Sequence, residues 1–542
     1  EGFKSAQLVT LTRTASTLAR IGARFSAGGG ELAEAVRRYQ DLFDQHEVFE
    51  PRLMKELNQI AKKRSEEKIK NLRMQLDDIQ SSLKKAREQL ENEFPAYAKL
   101  ARPSPISIDE VKKMLSPEEA LLTFVVRDKK SYLWVIRPSL EKFLTLPVGE
   151  EQLNKYVKNL RQALVPQSRL QPFDLEASQS LYNILLKPAE EYIGDADHLI
   201  FVPNGPLESL PMGLLVKQMG HTPDQDTGDE SVALVSRGLE EIIVEDDSPE
   251  EVPTNNRYNS YREAKWLAQD YAITMLPSVS SLKALRGGGT NVSSKAPKSF
   301  MGFGDPLLGS AVANNEYMLP SSSELLSRGA VADAEEVRKL ARLPETDKEL
   351  RSIAKTLGAP PDSVYLREDA TESKVKSLEL SQSRILAFAT HGLVSGEMKG
   401  LAEPALVFTP PEVGTEEDDG LLTASEVAQL KLDADWVILS ACNTASGDGK
   451  PGAEGLSGLA RSFFYAGARS LLVSHWPVET NSAVELTTGI FEEMKTNPEI
   501  GRAEALRRSR MRLINNKDNP KYAHPYFWAP FVVVGEGKNI TQ

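Results

Sequence analysis

Cys442 and His391 occupy matching places in this chain. Cys442 follows the apolar run Trp436-Val437-Ile438-Leu439-Ser440-Ala441, and His391 follows Ile385-Leu386-Ala387-Phe388-Ala389-Thr390. Short apolar runs bounded by turn residues read as buried strands. In open α/β sheets, ligands gather beyond the carboxyl ends of the strands. If the two strands are parallel neighbours, both side chains emerge on one rim, as a Cys/His dyad requires. A thiol with a pKa of about 8.5 is mostly protonated at neutral pH. An imidazole beside it accepts that proton and later protonates a leaving amine. Gly392 has no side chain, so a substrate carbonyl can approach its backbone. The N–H groups of Gly392 and Cys442 are then candidates for an oxyanion hole. Alone, a buried Cys is usually a small hydrophobe, and a His at a strand end is usually a hydrogen-bonding structural residue. The shared layout, strand and then reactive residue, favours the dyad.

The elements that must position these residues alternate in type. Ser299–Gly304, Ser363–Leu366, Arg384–Thr390, Ala405–Phe408, Trp436–Ser440 and Ser470–Ser474 read as strands. Thr346–Leu357, Thr371–Ser377, Ala424–Leu430, Gly455–Ala466 and Ser482–Met494 read as helices. Such alternation predicts a parallel sheet with helices on both faces. Upstream, Ala120–Arg127, Tyr132–Arg137 and Lys142–Leu146 form a β-rich group, followed by helices at 152–164 and 175–193 and a strand at His198–Val202. Residues 1–104 read as a helical N-terminal segment. Within it Ile69, Leu72, Leu76, Ile79, Leu83, Ala86 and Leu90 step by three and four, a heptad stripe, and Pro95 ends it. That stripe either packs on its own domain or receives an activating protein partner. The remaining divisions are 105–298, carrying an acidic flexible insertion at 221–260, and a catalytic half at 299–542.

Composition excludes other classes. The 542 residues suit about three domains. The net charge is −12, the wrong sign for a nucleic-acid footprint. Most of it lies in 221–253, where eleven acids face one Arg, so it carries no message about substrate. One cysteine makes no internal disulfide and points to a reducing, cytoplasmic setting. The six histidines show no metal-ligand spacing, so neither a metal nor an organic cofactor is expected. No apolar run is long enough to cross a membrane. The chain opens Glu1-Gly2-Phe3-Lys4, without Met or a signal-peptide core, and reads as a fragment whose upstream residues are absent.

Ala389-Thr390-His391-Gly392 and Leu439-Ser440-Ala441-Cys442-Asn443-Thr444-Ala445-Ser446-Gly447 resemble the two signature blocks of the CHAT peptidases. These are caspase-like cysteine peptidases of clan CD, with separase and gingipains as clan relatives, and are often fused to tetratricopeptide repeats. The separation of 51 residues between His391 and Cys442 matches caspase spacing. Asp419–Glu426, Gly452–Arg461, Ser474–Val478, Val202–Leu207 and Gly302–Pro306 fit the same pattern, and the resemblance runs from about 105 to 537. It implies a caspase-like α/β fold, His391 as general base and acid, Cys442 as nucleophile, and endopeptidase action on protein substrates. It also implies a bacterial protein regulated by a partner or by missing repeats. The repeats themselves are not evident, and the insertion at 221–260 and the loop at 306–345 have no counterpart in the family pattern.

Clan relatives select the P1 residue with one charged group in the S1 pocket. Trp476-Pro477-Val478-Glu479-Thr480 is similar to the stretch where separase places its acid. Glu479 is therefore the S1 candidate, with Asp305 and Asp448 as rivals, and the lean is to Arg or Lys at P1. The plain alternative is that each acid caps a helix or faces solvent. His475 also follows a strand and is a rival base. A catalytically silent scaffold with the same fold is the competing class, and acyl transfer by the same thiol is a second enzymatic one.

Overall fold

The computed structural model describes residues 2–9, 65–93, 105–165, 170–220, 258–286, 294–309, 334–393, 404–415, 418–441 and 458–538, with the single positions 38, 42, 49 and 53. Cys442, Asp448, the glycine-rich stretch up to 457 and nearly all of the acidic insertion lie outside the described residues.

The strands in chain order are β1 (Glu119–Val126), β2 (Ser131–Arg137), β3 (Leu140–Leu146), β4 (His198–Val202), β5 (Val216–Gln218), β6 (Lys265–Trp266), β7 (Ala272–Met275), β8 (Lys298–Pro306), β9 (Val364–Arg367), β10 (Ser383–Ala389), β11 (Gly392–Leu393), β12 (Ala405–Val407), β13 (Leu421–Thr423), β14 (Trp436–Leu439), β15 (Ser470–Ser474) and β16 (Phe531–Gly535). Eleven of them form one sheet in the order β3-β2-β1-β4-β7-β16-β15-β14-β10-β8-β9. It is parallel except at β3/β2, β2/β1 and β16/β15. β16, last in the chain, inserts between β7 and β15 and makes the sheet continuous from the β-rich group to the second half.

The helices that matter for the site are α1 (Gly2–Val9), α2 (Glu66–Glu93), α3 (Glu150–Gln162), α4 (Leu175–Leu185), α5 (Ala334–Arg338), α6 (Glu345–Thr356), α7 (Gly458–Ala466), α8 (Thr480–Thr496) and α9 (Arg502–Ile514). Alternation along each strand splits the core into two layers. Trp436 and Ile438 of β14 pack with Ala387 and Ala389 of β10 and with α6, α8 and α9. Val437 and Leu439 pack with Leu386, Phe388 and α7 on the opposite face. Strands buried on both faces read as continuous apolar runs, which is why they were visible in the sequence. The expected mixed α/β fold, a mainly parallel sheet with helices on both faces, is therefore present.

Phe303 of β8 and Phe388 of β10 stack with centroids 5.4 Å apart. Tyr365 of β9 continues the row at 5.0 Å, and Phe463 of α7 closes on Phe388 at 5.1 Å. Each such pair is worth about 0.5–1.5 kcal/mol beyond its buried area, and together they pin the register of the strands below His391. In α2, Ile69, Leu76, Ile79 and Ala86 are buried and Leu72 and Leu83 half-buried. Among the described residues the stripe is a buried seam, and the helix is described as far as Glu93.

Some predicted elements shift. The helix expected over 175–193 breaks after Leu185, because Pro188 cannot continue it. The closing apolar run at 525–534 splits into a turn of helix, Pro525–Trp528, and β16.

Candidate active site

β10 and β14 are parallel neighbours, with Ile385 beside Trp436, Leu386 beside Val437, Ala387 beside Ile438 and Phe388 beside Leu439. The register offset is 51 residues, equal to the separation of His391 and Cys442. The described chain runs past β14 through Ser440 to Ala441, one residue short of Cys442. Two contacts hold this end. Ser474 of β15 donates from Oγ to the Ala441 carbonyl at 2.7 Å. The Ser440 hydroxyl faces Glu349 of α6 at 3.4 Å.

His391 lies just past β10 and is half-buried. Its Nε2 is 2.6 Å from the carbonyl oxygen of Ala341. A carbonyl only accepts, so Nε2 carries a proton, and in the neutral ring Nδ1 keeps its lone pair. Burial pushes the imidazole below its ordinary range and the Ala341 hydrogen bond opposes that. The balance favours the neutral, basic form.

The backbone around His391 is fixed from the other side. Val407 N donates to the His391 carbonyl at 2.9 Å, and Thr390 Oγ1 donates to the Val407 carbonyl at 2.5 Å. β11 pairs with β12 antiparallel, Gly392 opposite Leu406. With His391 and Val407 as the hydrogen-bonded pair, Gly392 and Leu406 form the next pair, whose N–H groups point out of the ladder. The Gly392 N–H is thus not spent on β12.

Asp305 is 1% exposed at the end of β8. It takes the Arg342 guanidinium on both oxygens, Nε and Nη2 each at 2.8 Å, and Arg367 lies 3.8 Å away. Its own N–H donates to Thr346 Oγ1 at 2.8 Å, and its φ of 40° is rare for a residue with a Cβ. Asp305, a rival S1 acid in the sequence, is here buried and engaged with Arg342. Asp305 is neutralised by Arg342 and anchors the segment that meets His391. Glu479 is the N-cap of α8, accepting from Ser482 N at 2.8 Å, and remains half-buried on the rim after β15. Asp448 lies outside the described residues.

His475 is 1% exposed, and among the described residues neither ring nitrogen has a hydrogen-bond partner. Burial, with Arg161 and Arg510 nearby, pushes it down to about 3. A sealed imidazole of this kind is not placed to exchange protons with a substrate. Trp476 is core, its Nε1 donating to the Tyr526 carbonyl at 3.1 Å.

Sequence reasoning missed the 334–343 segment. Val337 and Leu340 pack on Leu308, Val407 and Leu421, and this seats the Ala341 carbonyl. A backbone acceptor leaves no signature in residue type. No cluster of three or more His, Cys, Asp or Glu suited to a metal occurs among the described residues, and none of their helices is long and apolar enough to cross a membrane.

The family model for the CHAT domain matches residues 175–536. Tetratricopeptide repeat protein 28 of Mus musculus is 26% identical over 234 residues, covering 37% of this chain and 9% of that protein. Its Homo sapiens counterpart is 25% identical over 233 residues, with the same coverage. The chain therefore spans under a tenth of the length of the curated relatives it matches. Among solved structures, the Saccharomyces cerevisiae separase–securin complex aligns with 86% of this chain and 34% of its own, at 11% identity and a TM-score of 0.40. The Arg-specific cysteine proteinase gingipain R aligns over 72% of this chain and 75% of its own, at 11% identity and a TM-score of 0.34.

Proposed function

The chain belongs to the CHAT domain family, and from that membership we propose that it is a cysteine endopeptidase in which His391 activates Cys442. The observation that carries this reading is the β10/β14 register. Its offset equals the sequence spacing of the two residues, as a dyad carried at the ends of two neighbouring parallel strands requires.

The proposed chemistry uses His391, Gly392 and Cys442. Nδ1 of His391, left basic by the Ala341 contact, takes the Cys442 proton. The thiolate attacks the scissile carbonyl carbon, and its oxygen gains the negative charge. The outward N–H of Gly392, with the N–H of Cys442, stabilises that oxyanion. The imidazolium then protonates the leaving amine, giving an acyl-enzyme. Water, deprotonated by the same imidazole, releases the acid.

Glu479 is the acid assigned to S1, which makes Arg or Lys the preferred P1 residue. The substrate class is protein, in a reducing, cytoplasmic setting that suits a lone thiol. Regulation is assigned to an activating protein partner acting through the N-terminal helices, or to repeats upstream. Cleavage of a P1-scanned fluorogenic peptide library by the wild-type chain and by Cys442→Ala tests this reading. Cutting that disappears in Cys442→Ala supports it. Cutting that survives assigns the activity elsewhere.

A further inference from the structure

Glu349 points from α6 into the layer beneath the rim and is 1% exposed. Its Oε1 accepts from Thr487 Oγ1 of α8 at 2.7 Å. Its Oε2 lies 3.4 Å from the Ser440 hydroxyl. Alternation puts Ser440 on the same face of β14 as Trp436 and Ile438, the face covered by α6 and α8. One carboxyl group thus joins two helices to the strand end that leads, two residues on, to Cys442.

We infer that Glu349 is a positioning residue for the nucleophile: it fixes the end of β14 against α6 and α8, and its charge state sets how readily Cys442 reacts. This rests on the cysteine-peptidase reading above.

The surroundings favour an uncharged Glu349. Among the described residues no cation pairs with it. The ionisable groups on the elements around it are engaged elsewhere. On α6, Asp347 pairs with Arg351, and Lys348 lies in the field of Glu485 of α8. On β8, Asp305 holds Arg342, with Arg367 of β9 beside it. On β10, Arg384 pairs with Asp435. Asp362, in the turn before β9, acts on Tyr365. Burial pushes the Glu349 carboxyl up to about 7, with the Thr487 and Ser440 hydroxyls opposing.

The two charge states make different bonds. Protonated Glu349 accepts from Thr487 on one oxygen and donates its O–H to Ser440. Ionised Glu349 has no proton to give, and it needs donors that a dry layer supplies poorly. The Thr487 hydroxyl already donates to it, so the Ser440 hydroxyl must change from acceptor to donor, and the Ser440 end of β14 must follow.

Cys442 is the single cysteine, so alkylation by iodoacetamide reads its reactivity without any peptide substrate. The rate is measured from about pH 5.5 to 9 in the wild type, in Glu349→Gln, which keeps a neutral side chain of the same shape, and in Glu349→Leu. Titrations of His391 and Cys442 are common to all three and cancel in the ratio of rates. Melting curves at each pH confine the comparison to folded protein.

The expected result is a wild-type to Glu349→Gln ratio near one at acid pH that changes through about pH 7. The change should reach at least about twofold by alkaline pH, the low end of coupling within one hydrogen-bond network. Glu349→Leu should differ from both at every pH. A ratio that stays constant across the range overturns the inference, since a merely structural carboxyl would shift the rates uniformly. The result is readable even if the chain cleaves no peptide. Conversely, cysteine-dependent cleavage with a constant ratio removes this inference alone.

Discussion

Asp305 grips Arg342 through both carboxylate oxygens at 2.8 Å each, and Arg342 directly follows Ala341, whose carbonyl holds His391. The bidentate pair is geometrically specific, so it fixes where that carbonyl sits. Arg342→Ala should free the segment and let the imidazole rotate. The expected loss in kcat/KM is on the order of 10- to 100-fold, as for a small misplacement of a catalytic group, with P1 preference unchanged. Arg342→Lys keeps the charge but not the planar fork and should recover only part of the loss. Steady-state kinetics on one good peptide, with the P1 scan repeated, checks both.

Glu479 is asked to do two things, and one substitution separates them. Glu479→Gln keeps a side-chain oxygen for Ser482 N and removes the charge. The melting temperature should move little, since the cap survives, while preference for a basic P1 residue falls. Glu479→Ala loses the cap as well and should cost about 1 kcal/mol of stability. An unchanged P1 profile in both variants would leave Glu479 as a helix cap only.

His475 makes a pH prediction for stability. Its pKa falls from an ordinary 6.5 to about 3 on folding. Between those values the unfolded chain binds the extra proton, so stability is intact above about 6.5 and declines as pH falls toward 3. The decline from this one group is of the order of a few kcal/mol. His475→Leu removes the titrating ring and two nitrogens that lack partners among the described residues. Denaturant unfolding should show the variant at least as stable at pH 7 and less sensitive to acid. Retained Cys442-dependent activity would also retire His475 as the base.

The parts that were legible in the sequence are the buried ones with simple periodicity. β4 and β15 end where their apolar runs end. The adjacency of β10 and β14 stood in the sequence only as the condition that a dyad would need, and the structure meets it. α9 was not legible, because five arginines in thirteen residues hide the face it buries. Arg502 instead lies buried with its guanidinium on the Glu536 carbonyl. Arg507 reaches the Gln269 carbonyl, and Gly489 of α8 lets Ser509 approach where a Cβ would stand 2.5 Å from its hydroxyl. Nor could the insertion of β16 between β7 and β15 be read from chain order. It depends on partners that begin 259 and 61 residues upstream of Phe531. The Ala341 carbonyl and the Glu349 carboxyl were hidden for different reasons. The first is backbone, and the second is an acid in a helix whose other acids face solvent.

The central claim is that positions 391 and 442 face each other across adjacent strands, and one cross-link tests it. Neighbouring strands lie about 4.8 Å apart, within the Cα separation that a disulfide spans. His391→Cys gives the chain a second thiol at the position that the proposed dyad sets beside Cys442. Mild oxidation followed by thiol titration and intact-mass analysis should show both thiols lost to one intrachain bond, restored by reductant. Two thiols that remain free and alkylatable in the folded, oxidised protein would contradict the register, and with it the dyad.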